Sequence, residues 1–403
     1  MDLDRSAAEA LDSSDPLAGF RARFALDEDL VYLDGNSLGM LPLATAERVA
    51  DVVAREWGRR LIRSWSEGWM DLPGAVGDAL GGAVLGAAPG QVMVGESTTV
   101  CFYKLACAAL DLRPGRSEIV TDHDNFPTDR YVLEGLAAAR GLSIRWLRAA
   151  TDGGPTVEEV AVAVGPATAL VSFSHTAYGS GFVADLPGIT AVARAAGALT
   201  LWDLSHSAGS VPLKLDADGA DLAVGCTYKY LCGGPGAPAY MYVREQLQAN
   251  LRQPIWGWLG HADPFAMAPG YEPASGIDAL RSGTPPVLAL TCVQEGVRLV
   301  SEAGMPAISA KARALTAYLI DLADARLAAF GVAVRSPRDS ARRGAHVALT
   351  HPAAKTLCAA LIETGVIPDF REPDIVRMGL SPLTTRFVDV WDGIEALRGL
   401  LAT

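Results

Sequence analysis

Lysine is scarce in this chain: Lys104, Lys214, Lys229, Lys311 and Lys355 are the only five in 403 residues. Any chemistry that needs a primary amine has few places to reside. Cysteine is sparse and scattered, at Cys101, Cys107, Cys226, Cys232, Cys292 and Cys358, with no C-x-x-C pair to suggest a zinc site or a dithiol motif. Reduced thiols in a cytosol fit that spacing, and no metal is expected. Positive charge is in deficit, 34 Lys+Arg against 46 Asp+Glu for a formal charge of -12. Such a surface repels nucleic-acid phosphates and anionic lipid, so neither is an expected partner, while a local basic pocket for one small anion stays compatible. Long apolar runs are missing too. Stretches such as 160–164 are soon broken by Gly, Pro or charge, far short of the roughly 20 residues that cross a bilayer. The acidic start MDLDRSAAEALDSSDP has neither the basic opening nor the apolar centre of a secretory signal. A soluble, cytoplasmic protein is expected. With 50% hydrophobic residues the chain can bury the cores of two domains, which excludes a disordered tail or a disulfide-stapled miniprotein.

What is present is alternation. ALVSFSH from Ala169 reads as a buried strand, PGITAVARAAG as a helix stopped by Gly197, and ALTLWD as the next strand. DLAVGCT, a glycine cluster at Gly233, Gly234 and Gly236, and the strand APAYMYV follow. Helices and short β-rich runs in that order predict an α/β fold round a mostly parallel sheet. Upstream, STTVCFYKLACAAL opens on three hydroxyl residues, a capping signal, and continues as an apolar helix. After about residue 290 the pattern turns to Ala-rich helices and shorter strands near Val332 and His346, a second and smaller domain. No internal repeat or low-complexity tract is found.

Among the lysines, Lys104 lies within a helix, Lys214 precedes an acidic turn, and Lys311 and Lys355 fall in helical patterns. Lys229 differs. It follows the buried run AVGCT, stands between Tyr228 and Tyr230, and precedes LCGGPG. A partly desolvated amine there has a lowered pKa and can form a Schiff base with an aldehyde cofactor or accept a proton; a lysine snorkelling at a strand end is the plainer alternative. Asp203 ends the strand ALTLW, at the sheet edge where α/β proteins bind ligands. An ionised carboxylate there keeps a pyridine nitrogen protonated, which is what pyridoxal phosphate needs; a loop or capping aspartate is the alternative. His206, three residues on, counts only as part of that set. Thr98 and Thr99 offer hydroxyls and a helix N-terminus to a phosphate, or serve as ordinary caps. Phe126 in DNFPTD, with Asp129 close behind, is either core or an aromatic face for a flat cofactor. Arg377 in IVRMGLSP suits a substrate carboxylate or an internal salt bridge with Glu372 or Asp374.

YLDGNSLGMLP (32–42), DNFPTD (124–129), LWDLSHSAG (201–209), GCTYKYLCGGPG (225–236), GWLGHADPFAMAPGYEP (257–273) and REPDIVRMGLSPL (371–383) together resemble the kynureninase family, from about residue 30 onward. WDLSHSAG followed by TYKYLxGGPG separates that family from cysteine desulfurases and aminotransferases. The resemblance implies pyridoxal phosphate and fold type I: a large domain with a mostly parallel seven-stranded sheet flanked by helices, and a small α+β domain. The expected division is 61–290 for the large domain, with 1–60 and 291–403 in the small one.

It also implies roles. Lys229 would carry the cofactor as a Schiff base and act as general base, Asp203 would pair with the pyridine nitrogen, and Phe126 would stack on the ring. Thr98, Thr99, Thr128, Asp129, Ser174, His206, Tyr228, Trp258 and Thr284 match positions lining the cofactor site, with Tyr228 relaying protons. Trp258 and Thr284 come from the neighbouring subunit in relatives, so a homodimer with its active site at the interface is implied. Arg377 matches the residue that binds the substrate carboxylate. The implied reaction is hydrolytic Cβ–Cγ cleavage of L-kynurenine to anthranilate and L-alanine in tryptophan catabolism. Cys232 stands where Asn is usual, SHTAYGSG (174–181) departs from H-V-N-Y-x-T-G, and RSGTPP (281–286) replaces CGTQP. Thr284 and Trp65 are the bacterial-type choices, associated with kynurenine over its 3-hydroxy form. An enzyme for 3-hydroxykynurenine or a substituted kynurenine stays open. A cysteine desulfurase fits less well, because its mobile cysteine could only be Cys358, in the helical run AAKTLCAALIE.

Overall fold

The computed structural model describes residues 3–148, 153–267 and 269–403. Seven strands form the large sheet: β1 (Val92–Val94), β2 (Glu118–Asp122), β3 (Ser143–Leu147), β4 (Thr168–Ser174), β5 (Leu199–Asp203), β6 (Leu222–Gly225) and β7 (Tyr240–Val243). Their order across the sheet is β1-β7-β6-β5-β4-β2-β3, with β7 alone antiparallel to its neighbours. Every residue of β5, β6 and β7 is buried. That explains why these strands read as continuous apolar runs rather than alternating ones: helices cover both faces. The expected mostly parallel seven-stranded sheet is the one observed.

The register fixes the site. Ser174 of β4 pairs with Asp203 of β5, and Asp203 with Val224 of β6. Three parallel strands thus end at one level, and the loops leaving them carry His175, His206 and Lys229 to the same edge of the sheet. A helix, α1 (Thr98–Asp111), follows β1 after a short strap and is capped by Ser97, whose side chain accepts from Val100 N at 3.4 Å. A second, α2 (Pro127–Arg140), starts just after Phe126 with proline at its first turn, where a missing N–H costs nothing.

The small domain is an antiparallel sheet of β8 (Ala333–Val334), β9 (His346–Thr350), β10 (Asp369–Arg371) and β11 (Ile375–Gly379), in the order β10-β11-β9-β8. The amino-terminal chain joins it through a parallel pairing of Val31 with Val366 and Tyr32 with Ile367. The division expected at residue 291 falls inside the helix Val287–Ala303, whose Leu290, Val293, Val297 and Val300 bury against the large-sheet core. The small-domain core takes over from Leu315, and the first 60 residues are shared, with Leu17 and Phe24 in the large core but Ala8 and Leu33 in the small one. Apolar periodicity marks which face is buried but not which core receives it. Among the described residues no helix is long and apolar enough to cross a membrane.

Candidate active site

At the carboxyl edge of β4, β5 and β6 lies a cavity of about 580 Å³. Of the residues singled out in the sequence, Thr98, Thr99, Phe126, Thr128, Asp129, Ser174, Asp203, His206, Tyr228, Lys229 and Thr284 all line it. Segments more than 180 positions apart in sequence meet there.

Lys229 sits in the turn after β6, 9% exposed, with Nζ 2.8 Å from His206 Nε2. Burial foremost, then the Lys229 cation, push the imidazole of His206 well below its ordinary pKa, so the ring is neutral and Nε2 accepts from the amine. Nζ also lies 5.9 Å from the ring centres of both Phe126 and Tyr228. Asp203 is 6% exposed and accepts at Oδ1 from Ser205 N at 2.8 Å. Beside it is Asp129, 1% exposed, with Oδ2 unpartnered. Burial and then Asp203 raise the Asp129 carboxyl well above the usual carboxylate range. Ser174 Oγ donates to Asn125 Oδ1 at 2.7 Å, anchoring the residue before Phe126. Burial raises the phenol of Tyr228, so its hydroxyl keeps its proton at neutral pH.

The turn bearing Lys229 is held from below by the amino-terminal chain. Gly39 N donates to Tyr228 O at 2.8 Å, and a Cβ at residue 39 would lie 2.2 Å from Lys229 O. Only glycine permits that approach.

Three of the predicted residues do not line the cavity. Trp65 packs edge-on against Trp69 at 5.6 Å, and Trp258 is exposed, edge-on to Phe265 at 5.9 Å. Arg377, 1% exposed on β11, stands behind the cavity wall. It makes an internal ion pair, with Asp369 rather than with Glu372 or Asp374: Nε donates to Asp369 Oδ1 at 2.9 Å and Nη2 to Oδ2 of the same carboxylate. Register explains the partner, since β11 runs antiparallel to β10 with Arg377 directly opposite Asp369. Its Nη1 donates to Tyr178 O at 2.8 Å and Nη2 to Ser37 Oγ at 3.2 Å. Tyr178 itself lines the cavity, edge-on to Phe126 at 5.4 Å, so one residue separates Arg377 from the open space.

Sequence reasoning passed over Tyr178, Ser205, Glu96 and Arg281, all of which line the cavity. Tyr178 and Arg281 fall in the two stretches that depart from the family pattern, which was the available signal. Glu96 was detectable by nothing in the sequence; its backbone is left-handed, φ 62°.

The architecture is matched by solved structures of pyridoxal-phosphate enzymes. A cysteine desulfurase from Thermococcus onnurineus superimposes with a TM-score of 0.81 at 16% identity over 98% of both chains. The K223A mutant of C-DES, described with glycine covalently linked to its PLP cofactor, gives 0.83 at 19% over 95% of this chain and 98% of its own. At such identities the likeness establishes the fold, type I. Sequence narrows it further. Kynureninase from Pseudomonas fluorescens is 43% identical over 98% of this chain and 95% of its own, and that of Burkholderia pseudomallei is 43% identical over 99% and 96%. The kynureninase C-terminal domain family matches residues 308–397. The chain belongs to the kynureninase family.

Proposed function

We propose that this protein is a pyridoxal-phosphate-dependent kynureninase that hydrolyses the Cβ–Cγ bond of L-kynurenine to anthranilate and L-alanine. One observation carries the reading: the single well-placed lysine of a five-lysine chain opens into the same cavity as a buried carboxylate, an aromatic face and a helix N-terminus. The residues fit the cofactor. Asp129 Oδ2 is a buried acceptor without a partner, and α1 presents free backbone N–H groups with the Thr98 and Thr99 hydroxyls. Lys229 would hold the aldehyde carbon, Asp203 the pyridine nitrogen, Phe126 the ring face, and Thr98 and Thr99 the phosphate, with Thr128, Asp129, Ser174 and His206 completing the walls.

When bound, pyridoxal phosphate supplies a cationic ring that draws electrons from the substrate's reacting carbons. The chain's own groups do the proton work. Lys229 Nζ takes the substrate's α-proton, aligned by the neutral Nε2 of His206. Tyr228 Oη, protonated because burial disfavours its anion, gives a proton and recovers it as water attacks the substrate ketone. Arg377, oriented by Asp369 but set behind the Tyr178 wall, would hold the α-carboxylate once Tyr178 moves aside. Thr284, in the cavity wall, would border the aromatic end of the substrate.

We further read the protein as a cytoplasmic homodimer in which Trp258, which does not line its own chain's cavity, reaches the neighbouring subunit's site, while Thr284 lines the cavity of its own chain. Trp258, Phe265 and Met267 are 40%, 65% and 75% exposed along one segment, an apolar patch that a partner would cover. The reading as a cysteine desulfurase is disfavoured, because Cys358 is buried within the helix Ala354–Glu363, its thiol toward Pro368 O at 3.8 Å, rather than on a loop. The deciding experiment incubates cofactor-loaded protein with kynurenine and with 3-hydroxykynurenine. Release of anthranilate from the first, faster than 3-hydroxyanthranilate from the second, is expected. Release of neither, with cleavage of another amino acid, would overturn the reading.

A further inference from the structure

Lys104 was the least conspicuous lysine of the sequence, seven positions past the cap of α1, yet none of its surface is exposed. A fully buried lysine is rare unless its charge is paired. Here Nζ reaches Glu96 Oε1 at 3.3 Å and Leu280 O at 3.0 Å. Both acceptors belong to the wall of the cavity. Glu96 stands in the strap between β1 and α1, directly before Ser97, Thr98 and Thr99. Leu280 opens the strap 280–284, which supplies Arg281, Ser282, Gly283 and Thr284 to the opposite side.

Two further contacts fix the Glu96 end. Ala239 N donates to Glu96 O at 2.8 Å, and Cys101 Sγ donates to Gly95 O at 2.9 Å. Glu96 nonetheless holds a left-handed backbone, φ 62°, which a side-chain residue adopts at a cost unless its surroundings over-determine it. The ion pair from beneath is such a constraint. One ammonium therefore ties together two straps about 180 positions apart, both of which line the same cavity.

We propose that Lys104 is a positioning residue that sets the spacing between straps 96–99 and 280–284, and thereby tunes the cavity for a phosphorylated rather than a phosphate-free cofactor. This rests on the reading that Thr98 and Thr99 cradle the phosphate. Lys104 touches neither cofactor nor substrate; it acts through Glu96 and the Leu280 carbonyl. Its loss lets the straps part, and the donors then meet three phosphate oxygens with poorer geometry, while the contacts to the pyridine ring at Asp203 and Phe126 stay as they are.

The test uses the full chain stripped of cofactor and titrated separately with pyridoxal phosphate and with pyridoxal, followed by visible absorption. In Lys104→Met, which keeps length and removes charge, the affinity for pyridoxal phosphate should drop about tenfold or more with pyridoxal little changed. A general loss of packing would weaken both alike. Glu96→Gln, at a partly exposed position, provides a milder cut of the same tie should the methionine variant fail to fold, and should narrow the same ratio about threefold. A ratio unmoved in the folded variants, or both affinities falling together, overturns the proposal. Thr98→Val with Thr99→Val is the control for the underlying reading: if that pair also leaves the ratio intact, the phosphate cradle itself is misplaced, whereas a ratio lost there but kept in Lys104→Met sinks only the role of Lys104.

Discussion

Nζ of Lys229 lies 2.8 Å from Nε2 of His206, whose imidazole is kept neutral by burial and, with its proton on Nδ1, accepts from the amine. The amine is thus oriented by a group that adds no competing charge, and its neighbours Phe126 and Tyr228 offer ring faces rather than anions. Lys229→Ala should abolish the visible band of bound cofactor as a covalent adduct and lower kcat by ~10²–10⁴ or more. His206→Phe should retain the band and lower kcat alone. Full turnover in either protein would refute the assignment.

Tyr228→Phe removes one hydroxyl and leaves the ring that faces Lys229. Turnover is expected to fall by ~10²-fold, the scale of a lost proton relay, with cofactor affinity nearly unchanged. Steady-state kinetics beside a cofactor titration separates the two; a variant as fast as the parent removes Tyr228 from the proton path.

The pairing of Arg377 with Asp369 predicts a split between binding and rate. Arg377→Ala should raise KM with a smaller change in kcat, since a carboxylate contact exists in ground and transition states alike. Asp369→Asn keeps the guanidinium but frees it from its fixed orientation, and should raise KM less. Asp34, close by, is already raised to about 6, by burial first and then by Asp369. An unchanged KM in Arg377→Ala would leave Arg377 a purely structural residue.

Acid stability should carry the mark of His175, which is buried with Nδ1 2.9 Å from Ser207 Oγ and lowered by burial to about 4 from an ordinary 6.5. The unfolded chain takes up a proton that the folded one refuses. Stability present above pH 6.5 is therefore lost as pH falls toward 4, about 3 kcal/mol for this group. Asp34 and Asp122, raised to about 6 and about 7, have the opposite sign: the folded chain keeps protons there, and stability declines as pH rises from about 4 through those values. His175→Gln removes only the first effect. On going from pH 7 to pH 4 the variant's urea midpoint should lose less, or gain more, than the parent's, and identical changes would mean that His175 is charged in the folded state.

The sheet and the placement of Lys229 in the cavity wall were legible because both rest on local signals: unbroken apolar runs for β5 to β7, and a lysine placed after a buried strand and before a glycine cluster. Asp203 was legible for the same reason, as the residue at which an apolar strand stops. Lys104 was not, because its neighbours in sequence say only that it lies on a helix; its partners, at 96 and 280, come from a loop and from a strap far along the chain. Arg377 was half legible. Its need for an anion could be read from apolar neighbours, but choosing Asp369 over Glu372 or Asp374 requires the register of β10 on β11. The domain border is hard to read for a related cause, since Val287–Ala303 has the same amphipathic pattern whichever core it joins.

The glycine at 39 gives the first forty residues an unexpected part in the machinery. They leave the small sheet, pass under the tyrosine–lysine turn, and touch its main chain without a side chain's width to spare. Any rotation of the lesser domain about the greater would tug on the Lys229 amine through that thread, and a methyl group added there would wedge the turn outward. Engineering that trims or restiffens this end of the polypeptide would alter the reacting centre without altering one of its side chains.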